Sequence, residues 1–347
     1  MKKARCQMIK KFAVFFKHFL LLTGTVFAKS PEKIQNLRIA AEQGDVSAQF
    51  SLGTMYSKGE GIKQDYTEAA KWYKLAAEQG HSGAQLNLGV MYSFRKDYTE
   101  SVKWFSLAAE QGVAAAQDIL GTMYDEGLGV KQDYAEAVKF HLLAAQQGYA
   151  MAQNSLGLMY GDGRGVMQNH AEAIKWFSLA AAQGHVKAQR NLGVAYEFGK
   201  GVGQDDDEAI KWFSLAAKQG DADAQLNLGF MYDNGKGVRQ DYAEALKWYR
   251  LAAEQGVALA QYNLGNMYFF GNGSRESYSE AVKWWQLAAQ QGEPTAQCNL
   301  GVCYEFGKGV KQNTAVAKEW YGKACDNGNQ KGCESYRRLN TAPTKRR

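Results

Sequence analysis

The 347-residue sequence predicts an all-α solenoid, and three observations carry that prediction. A Leu-Gly pair returns at Gly53, Gly89, Gly121, Gly157, Gly193, Gly229, Gly265 and Gly301, every 36 residues except for 32 between Gly89 and Gly121. Apolar residues between these pairs recur at helical spacing. Glycine is plentiful at 37 residues and proline is rare at three, which suits helices joined by glycine turns and suits strands poorly. Self-similarity at a period of roughly 20 to 50 residues marks a repeat array, in which each unit buries its apolar face only by stacking on its neighbours.

Residues 1–28 read as an export signal. Lys2, Lys3, Arg5, Lys10, Lys11 and Lys17 precede an apolar run from Phe19 to Ala28, and Val26-Phe27-Ala28 fits a leader-peptidase site. Ten uncharged apolar residues fall well short of the ~20 that a membrane span needs. The expectation is cleavage after Ala28, no stable membrane span afterwards, and a mature chain in the periplasm or outside the cell. An uncleaved anchor is the rival reading. With those six cations set aside, 35 of the 41 basic residues remain against 35 acidic ones, so the formal charge of +6 belongs to the leader. A neutral mature chain lacks the net basic face that nucleic-acid binding needs.

Residues 29–44 read as an N-terminal half-repeat, a lone second helix ending in Gln43-Gly44. Residues 45–328 hold eight full units of two antiparallel helices. In the first unit, helix A runs from about Val46 to Ser57, with Ala48, Leu52, Met55 and Tyr56 on one stripe. Tyrosine holds the last of these positions in all eight units: Tyr56, Tyr92, Tyr124, Tyr160, Tyr196, Tyr232, Tyr268 and Tyr304. Gly53 and its equivalents sit inside helix A, where glycine costs about 1 kcal/mol relative to alanine. Close approach of an aromatic ring or a neighbouring helix is the expected reason.

A Gly-x-Gly loop follows in seven units, as in Gly59-Glu60-Gly61; the second unit lacks it and is four residues shorter. Helix B opens with a capping box, Asp65 with Glu68, repeated as far as Ser277 with Glu280; the eighth unit has Asn313 but Val316. Its buried face is expected to hold Ala69, Trp72, Ala76 and Ala77. A Gln-Gly pair closes most of these helices, with glycine in the position that tolerates positive φ. Residues 329–347 read as a lone helix A followed by a solvated basic tail of Arg337, Arg338, Lys345, Arg346 and Arg347. Half-units at both ends cover the exposed core of such an array and argue against end-to-end self-association. A monomer is expected.

The pattern Ala-Gln-x-x-Leu-Gly-x-x-Tyr, then Gly-x-Gly-Val, then Asp-Tyr-x-Glu-Ala-x-Lys-Trp-Tyr-x-Leu-Ala-Ala-Glu-Gln-Gly resembles the Sel-one-like repeat (SLR) family over residues 45–328. Plain tetratricopeptide (TPR) repeats are the runner-up, but their unit is about 34 residues with a shorter turn. The resemblance implies a right-handed, TPR-like superhelix lined on its concave side by helix A. It also implies adaptor roles, including exported bacterial members that engage host or envelope proteins. Cysteine-rich relatives pair cysteines between helices, and here Cys325 and Cys333 match that arrangement at the last helix pair. Some of those relatives are described as β-lactamases. This chain carries one such pair where they carry a pair in most repeats, so a cell-wall or β-lactam hydrolase is the alternative function.

No catalytic, cofactor-binding or metal-binding residues are assigned. The Gly-x-Gly-Val loops lack P-loop spacing and no strand precedes them. His18, His81, His141, His170 and His185 show no metal-ligand spacing, and no Gly-x-Ser-x-Gly nucleophile motif occurs. Cys298 and Cys303, five apart on one helix, are too distant to pair and read as buried thiols. The function expected is binding of a protein partner. On helix A the outward line beginning two residues after the fixed alanine carries Phe50, Leu86, Phe94, Phe198, Tyr262, Asn266, Phe269, Phe270 and Phe306. These form the candidate partner surface, and packing beneath adjacent units is the competing role for the same side chains.

Overall fold

The structure, a computed structural model, describes residues 31–341. The expected signal at residues 1–28 and the tail residues Lys345, Arg346 and Arg347 lie outside the described residues. All regular structure within them is helical. In order, the helices are α1 (Pro31–Glu42), α2 (Val46–Lys58), α3 (Tyr66–Glu78), α4 (Ser82–Phe94), α5 (Tyr98–Glu110), α6 (Ala114–Glu126), α7 (Tyr134–Gln146), α8 (Ala150–Asp162), α9 (His170–Ala182), α10 (Val186–Phe198), α11 (Asp206–Lys218), α12 (Ala222–Asn234), α13 (Tyr242–Glu254), α14 (Ala258–Phe270), α15 (Tyr278–Gln290), α16 (Pro294–Phe306), α17 (Thr314–Asp326) and α18 (Gln330–Thr341). They form an all-α solenoid of helix pairs, and the chain divides into two compact units after Asn169. The first contains α1 through α8. The second contains α9 through α18. Within each unit, helix A packs on helix B of its own repeat, and helix B packs on helix A of the next.

The intrahelical glycine of helix A is where the two helices of a repeat meet. A Cβ added at Gly53 would lie 2.7 Å from the ring of Tyr73, at Gly89 2.8 Å from Phe105, and at Gly193 2.6 Å from Phe213. The same contact joins Gly121 to His141, Gly229 to Tyr249, Gly265 to Trp285 and Gly301 to Tyr321. The aromatic that fills this slot corrects the expectation for Trp72. Tyr73 and its equivalents are buried with Ala69, Ala76 and Ala77, an i, i+4, i+7, i+8 stripe, whereas Trp72 lies one residue off that stripe. Half-buried, Trp72 packs back on the preceding junction against Ala41, Ala48 and Leu52, as Trp284 does against Tyr249 and Leu264.

Helix B is capped as expected on one side only. Asp65 accepts from the amides of Thr67 and Glu68, at 2.8 and 3.1 Å. Glu68 does not reach back. The Asp65 amide already donates to the carbonyl of Tyr56 at 3.0 Å, and the Glu68 carboxylate instead pairs with Lys71. The same division holds at Asp241, whose amide binds Tyr232 while Glu244 pairs with Lys247.

A buried glutamine column fastens the other end of each pair. Gln85 donates to the carbonyl of Ala77, at the end of the preceding helix B, and accepts from Gln111 at the end of its own. Gln49, Gln117, Gln225 and Gln261 repeat both bonds. Helix-terminal carbonyls that would otherwise be orphaned are thereby satisfied inside the protein.

The Gly-x-Gly loops seat each repeat on the one before. The second glycine, at positive φ, rests on the first carbonyl of the preceding helix B: Gly129 on Tyr98, Gly237 on Asp206 and Gly309 on Tyr278. The residue after it packs on that same helix, as Val310 does beside Val282. In the short second repeat the chain turns instead at Lys96, the one non-glycine residue at positive φ among the described residues.

At the C-terminus, α18 packs on α17 and reaches α16. Cys325 and Cys333 lie at disulfide distance, with Cα atoms 4.5 Å apart. Arg338, expected to belong to a solvated tail, forks onto Glu305 of α16 at 2.6 and 2.7 Å, and Tyr321 donates to the same carboxylate at 2.8 Å. The hydrogen bonds from Arg338 hold the Glu305 carboxyl below its ordinary range, against the opposing effect of burial.

Two predictions follow from these contacts. Gly193→Ala should destabilise the protein by about 1–3 kcal/mol in urea unfolding despite alanine's better helix propensity, because the added methyl meets the Phe213 ring. Glu305 titrates lower in the folded chain than in the unfolded one. Its contribution is therefore complete at neutral pH and is lost as pH falls through the folded value. Glu305→Gln should remove about 1 kcal/mol at neutral pH and flatten the acid limb of the stability profile, the half-exposed Arg338 limiting the size of the effect.

Candidate protein-binding surface

The outward line of helix A divides by depth into two groups. The position two residues after the fixed alanine faces helix A of the next repeat and is buried or half-buried against it. Leu86 is only 4% exposed and packs in a cluster with Ala116, Ile119 and Leu120 of α6, which corrects its assignment as a partner residue. Phe50 stacks on His81 at 4.3 Å, and half-buried Tyr262 packs against the cluster containing Ala296 and Leu300 of α16. Polar residues at this position serve the same junction: Arg190 pairs with Asp221 at 3.3 Å and Asp223 at 2.6 Å. Asn266 is half-buried. Phe269 is also half-buried, its ring 5.2 Å from Trp285 and 4.9 Å from Tyr278, with the Lys308 ammonium 5.1 Å above it.

The last residue of helix A remains outside. Phe198 is 62% exposed, Phe270 66% and Phe306 62%, all in the second compact unit; Phe94, in the first, is 45% exposed. Phe230 on α12 belongs with the second-unit residues at 44% exposure and was missed by the sequence reading. It sits one turn back, at a position where other repeats carry Thr54, Val194 or Val302, so a column-by-column comparison would have shown it. The loop ammonium groups of Lys200 and Lys236 lie 5.8 and 5.7 Å from the Phe198 ring, and Lys236 also pairs with Glu197 at 3.2 Å. Helices α10, α12, α14 and α16 thus each present one exposed phenylalanine, and the first is flanked by cations.

Most of the candidate chemistry elsewhere is taken up by packing and helix capping. No group of three or more His, Cys, Asp and Glu side chains is placed to hold a metal ion among the described residues. His141 occupies the ring slot over Gly121, buried, with Nδ1 2.8 Å from buried Asp118. His81 and His185 use Nδ1 to cap their helices, accepting from Ala84 and Ala188 at 3.2 Å. Burial pushes the Cys298 thiol up and the Cys303 thiol to about 11, so both stay protonated and poorly nucleophilic at neutral pH. No helix of the described residues is long and apolar enough to cross a membrane.

The Sel1 repeat model matches this chain in eight consecutive segments, residues 46–81, 82–113, 114–149, 150–185, 186–221, 222–257, 258–293 and 294–329. The chain belongs to the Sel1 repeat family. Two solved structures agree. One is c5321, a protective antigen present in uropathogenic Escherichia coli strains and displaying an SLR fold. It is 37% identical with a TM-score of 0.81, over 87% of this chain and 66% of the other. This chain therefore spans a little under two thirds of that neighbour's length. The second is a Sel1 repeat protein from Oxalobacter formigenes, 33% identical with a TM-score of 0.69, over 93% of this chain and 92% of that one. No curated protein matches the chain. Sel1 repeat proteins are generally protein-interaction scaffolds and typically non-catalytic.

Thiol counting checks the cysteine assignments. A chain beginning at Lys29 should show no fast-reacting thiol with iodoacetamide at pH 7. It should show two after denaturation without reductant, and four after denaturation with reductant.

Proposed function

We propose that this protein is an exported scaffold that holds a protein partner on the helix-A surface of its second unit. The observation that carries the reading is the set of exposed rings Phe198, Phe230, Phe270 and Phe306, one from each of four successive A helices. Large aromatics left in water on consecutive repeats lose burial energy in the free protein and recover it against a partner. Rigid rings lose little conformational entropy on binding, which makes them effective anchors. The partner this surface fits offers an apolar ridge, such as the face of an amphipathic helix, with acidic side chains towards Lys200 and Lys236. Export is supported by the leader-like first 28 residues, by the Cys325–Cys333 placement, and by the likeness to a protein described as a protective antigen.

The test pairs capture with stability. A chain from Lys29 onwards, and its Phe198→Ser, Phe270→Ser, Phe306→Ser triple variant, are used as bait in envelope and extracellular extracts. The variant should melt within a few degrees of the parent, because surface changes stay within roughly 0.5 kcal/mol each. It should lose the specific partner by tenfold or more. Equal capture by both chains would reject this surface. A large fall in melting temperature would assign the rings to the fold.

A further inference from the structure

The short second repeat opens a pocket in the first compact unit. It lies between α3 and α4, has a volume of about 190 Å³, and is lined by Thr67, Ala70, Lys71, Lys74, Leu88, Met91, Tyr92 and Arg95. Leu88 and Met91 are buried, while Lys71, Lys74 and Arg95 form the edge.

Two features of the repeat pattern create it. The loop that would seat on the start of α3, as Gly129 seats on Tyr98, is the one missing from the second repeat. The position after the buried small residue of helix B is also unusual. It holds Val102, Val138, Ile174, Ile210, Leu246 and Val282 in six repeats, and the N-terminal helix carries Ile34 there, in contact with Gly61 of the following loop. The exceptions are Ala70 and Lys318, the two places where no Gly-x-Gly loop follows in the next unit. A repeat that had merely lost its loop would regain packing with a larger residue at position 70. Alanine instead deepens the gap.

A void of this size suits one benzene-sized group, since an engineered apolar cavity of about 150 Å³ takes benzene. The edge sets the charge. Lys71 pairs with Glu68, and Lys74 lies 3.7 Å from Glu78, whereas Arg95 makes no ion pair among the described residues. We infer that this pocket is a second docking site, which takes one aromatic or branched aliphatic side chain from an acidic peptide segment. The side chain lies on Leu88, Met91 and Ala70, and flanking carboxylates meet Arg95 and Lys74. The inference is independent of the partner proposed for the second unit.

The probe is a fluorescein-labelled peptide Glu-Glu-Phe-Glu-Glu, titrated against the chain from Lys29 onwards by fluorescence anisotropy. Its controls are the same peptide with serine for phenylalanine and one with lysine for every glutamate. Saturable binding of the first peptide alone is expected. Ala70→Val installs the residue type other repeats carry, so it should keep the fold and weaken binding by about tenfold. Inserting a Gly-Lys-Gly-Val loop to restore the 36-residue spacing should do the same by the opposite route. Arg95→Gln should weaken binding and reduce its salt dependence. Unchanged binding in Ala70→Val and in the loop-restored chain, both with parental helical CD, would overturn the inference. Equal binding of the serine peptide would reduce the site to a nonspecific basic patch and overturn it as well.

Discussion

Everything in this molecule depends on the helices of a repeat approaching until one backbone meets the other helix's ring. The approach is possible only where helix A lacks a Cβ, and it recurs from Gly53 on Tyr73 to Gly301 on Tyr321. Each such glycine weakens the helix that holds it. What it gains is a flat, buried aromatic contact, and repetition turns a local weakness into a constant spacing between layers. The slot tolerates different flat rings: tyrosine, phenylalanine, histidine at 141 and tryptophan at 285. Trp285 uses its extra length to donate Nε1 to the carbonyl of Tyr262 at 3.1 Å, a second tie between the two helices of its repeat.

Around that contact, polar groups do the indexing. Glutamine amides bind the ends of helix B, N-cap amides bind the tyrosine carbonyls of helix A, and loop glycines rest on the preceding repeat. None of these bonds is strong by itself in a folding equilibrium, where a neutral hydrogen bond is worth about 1 kcal/mol. Their value is register. A repeat displaced by one residue would bury glutamine side chains without acceptors, at a cost several times larger than the bonds gain.

Much of this was legible from the residues. Period, helix limits, the shortened second unit, the aromatic approach to Gly53 and the buried thiols all follow from spacing and local chemistry. Three features did not. Trp72 and Tyr73 are adjacent and equally apolar, so periodicity alone does not say which ring enters the glycine slot. The capping box at Asp65 was read locally, but the amide it needed is taken by Tyr56, nine residues earlier in another helix. Helix periodicity also gave one outward stripe where the fold has two fates: Phe50, Leu86 and Tyr262 meet the next A helix, while Phe198, Phe270 and Phe306 pass beyond it. That distinction depends on the stagger between repeats, which no single repeat encodes. Arg338 escaped for the same reason, since its partner Glu305 is 33 residues away.

The closure around α18 gives the array a direction. In a chain of nearest-neighbour interactions the terminal elements open first, because each has only one neighbour to hold it. Here α18 is held by the forked Arg338–Glu305 ion pair and by a cysteine pair placed to crosslink it to α17, and α1 packs on α2 with a hydrogen bond from Arg38 to Tyr56. Opening α18 therefore has to break a forked ion pair as well as its packing on α17. On the ribosome α18 follows α16 and α17, so the lock on the last repeat closes only once that repeat is already made.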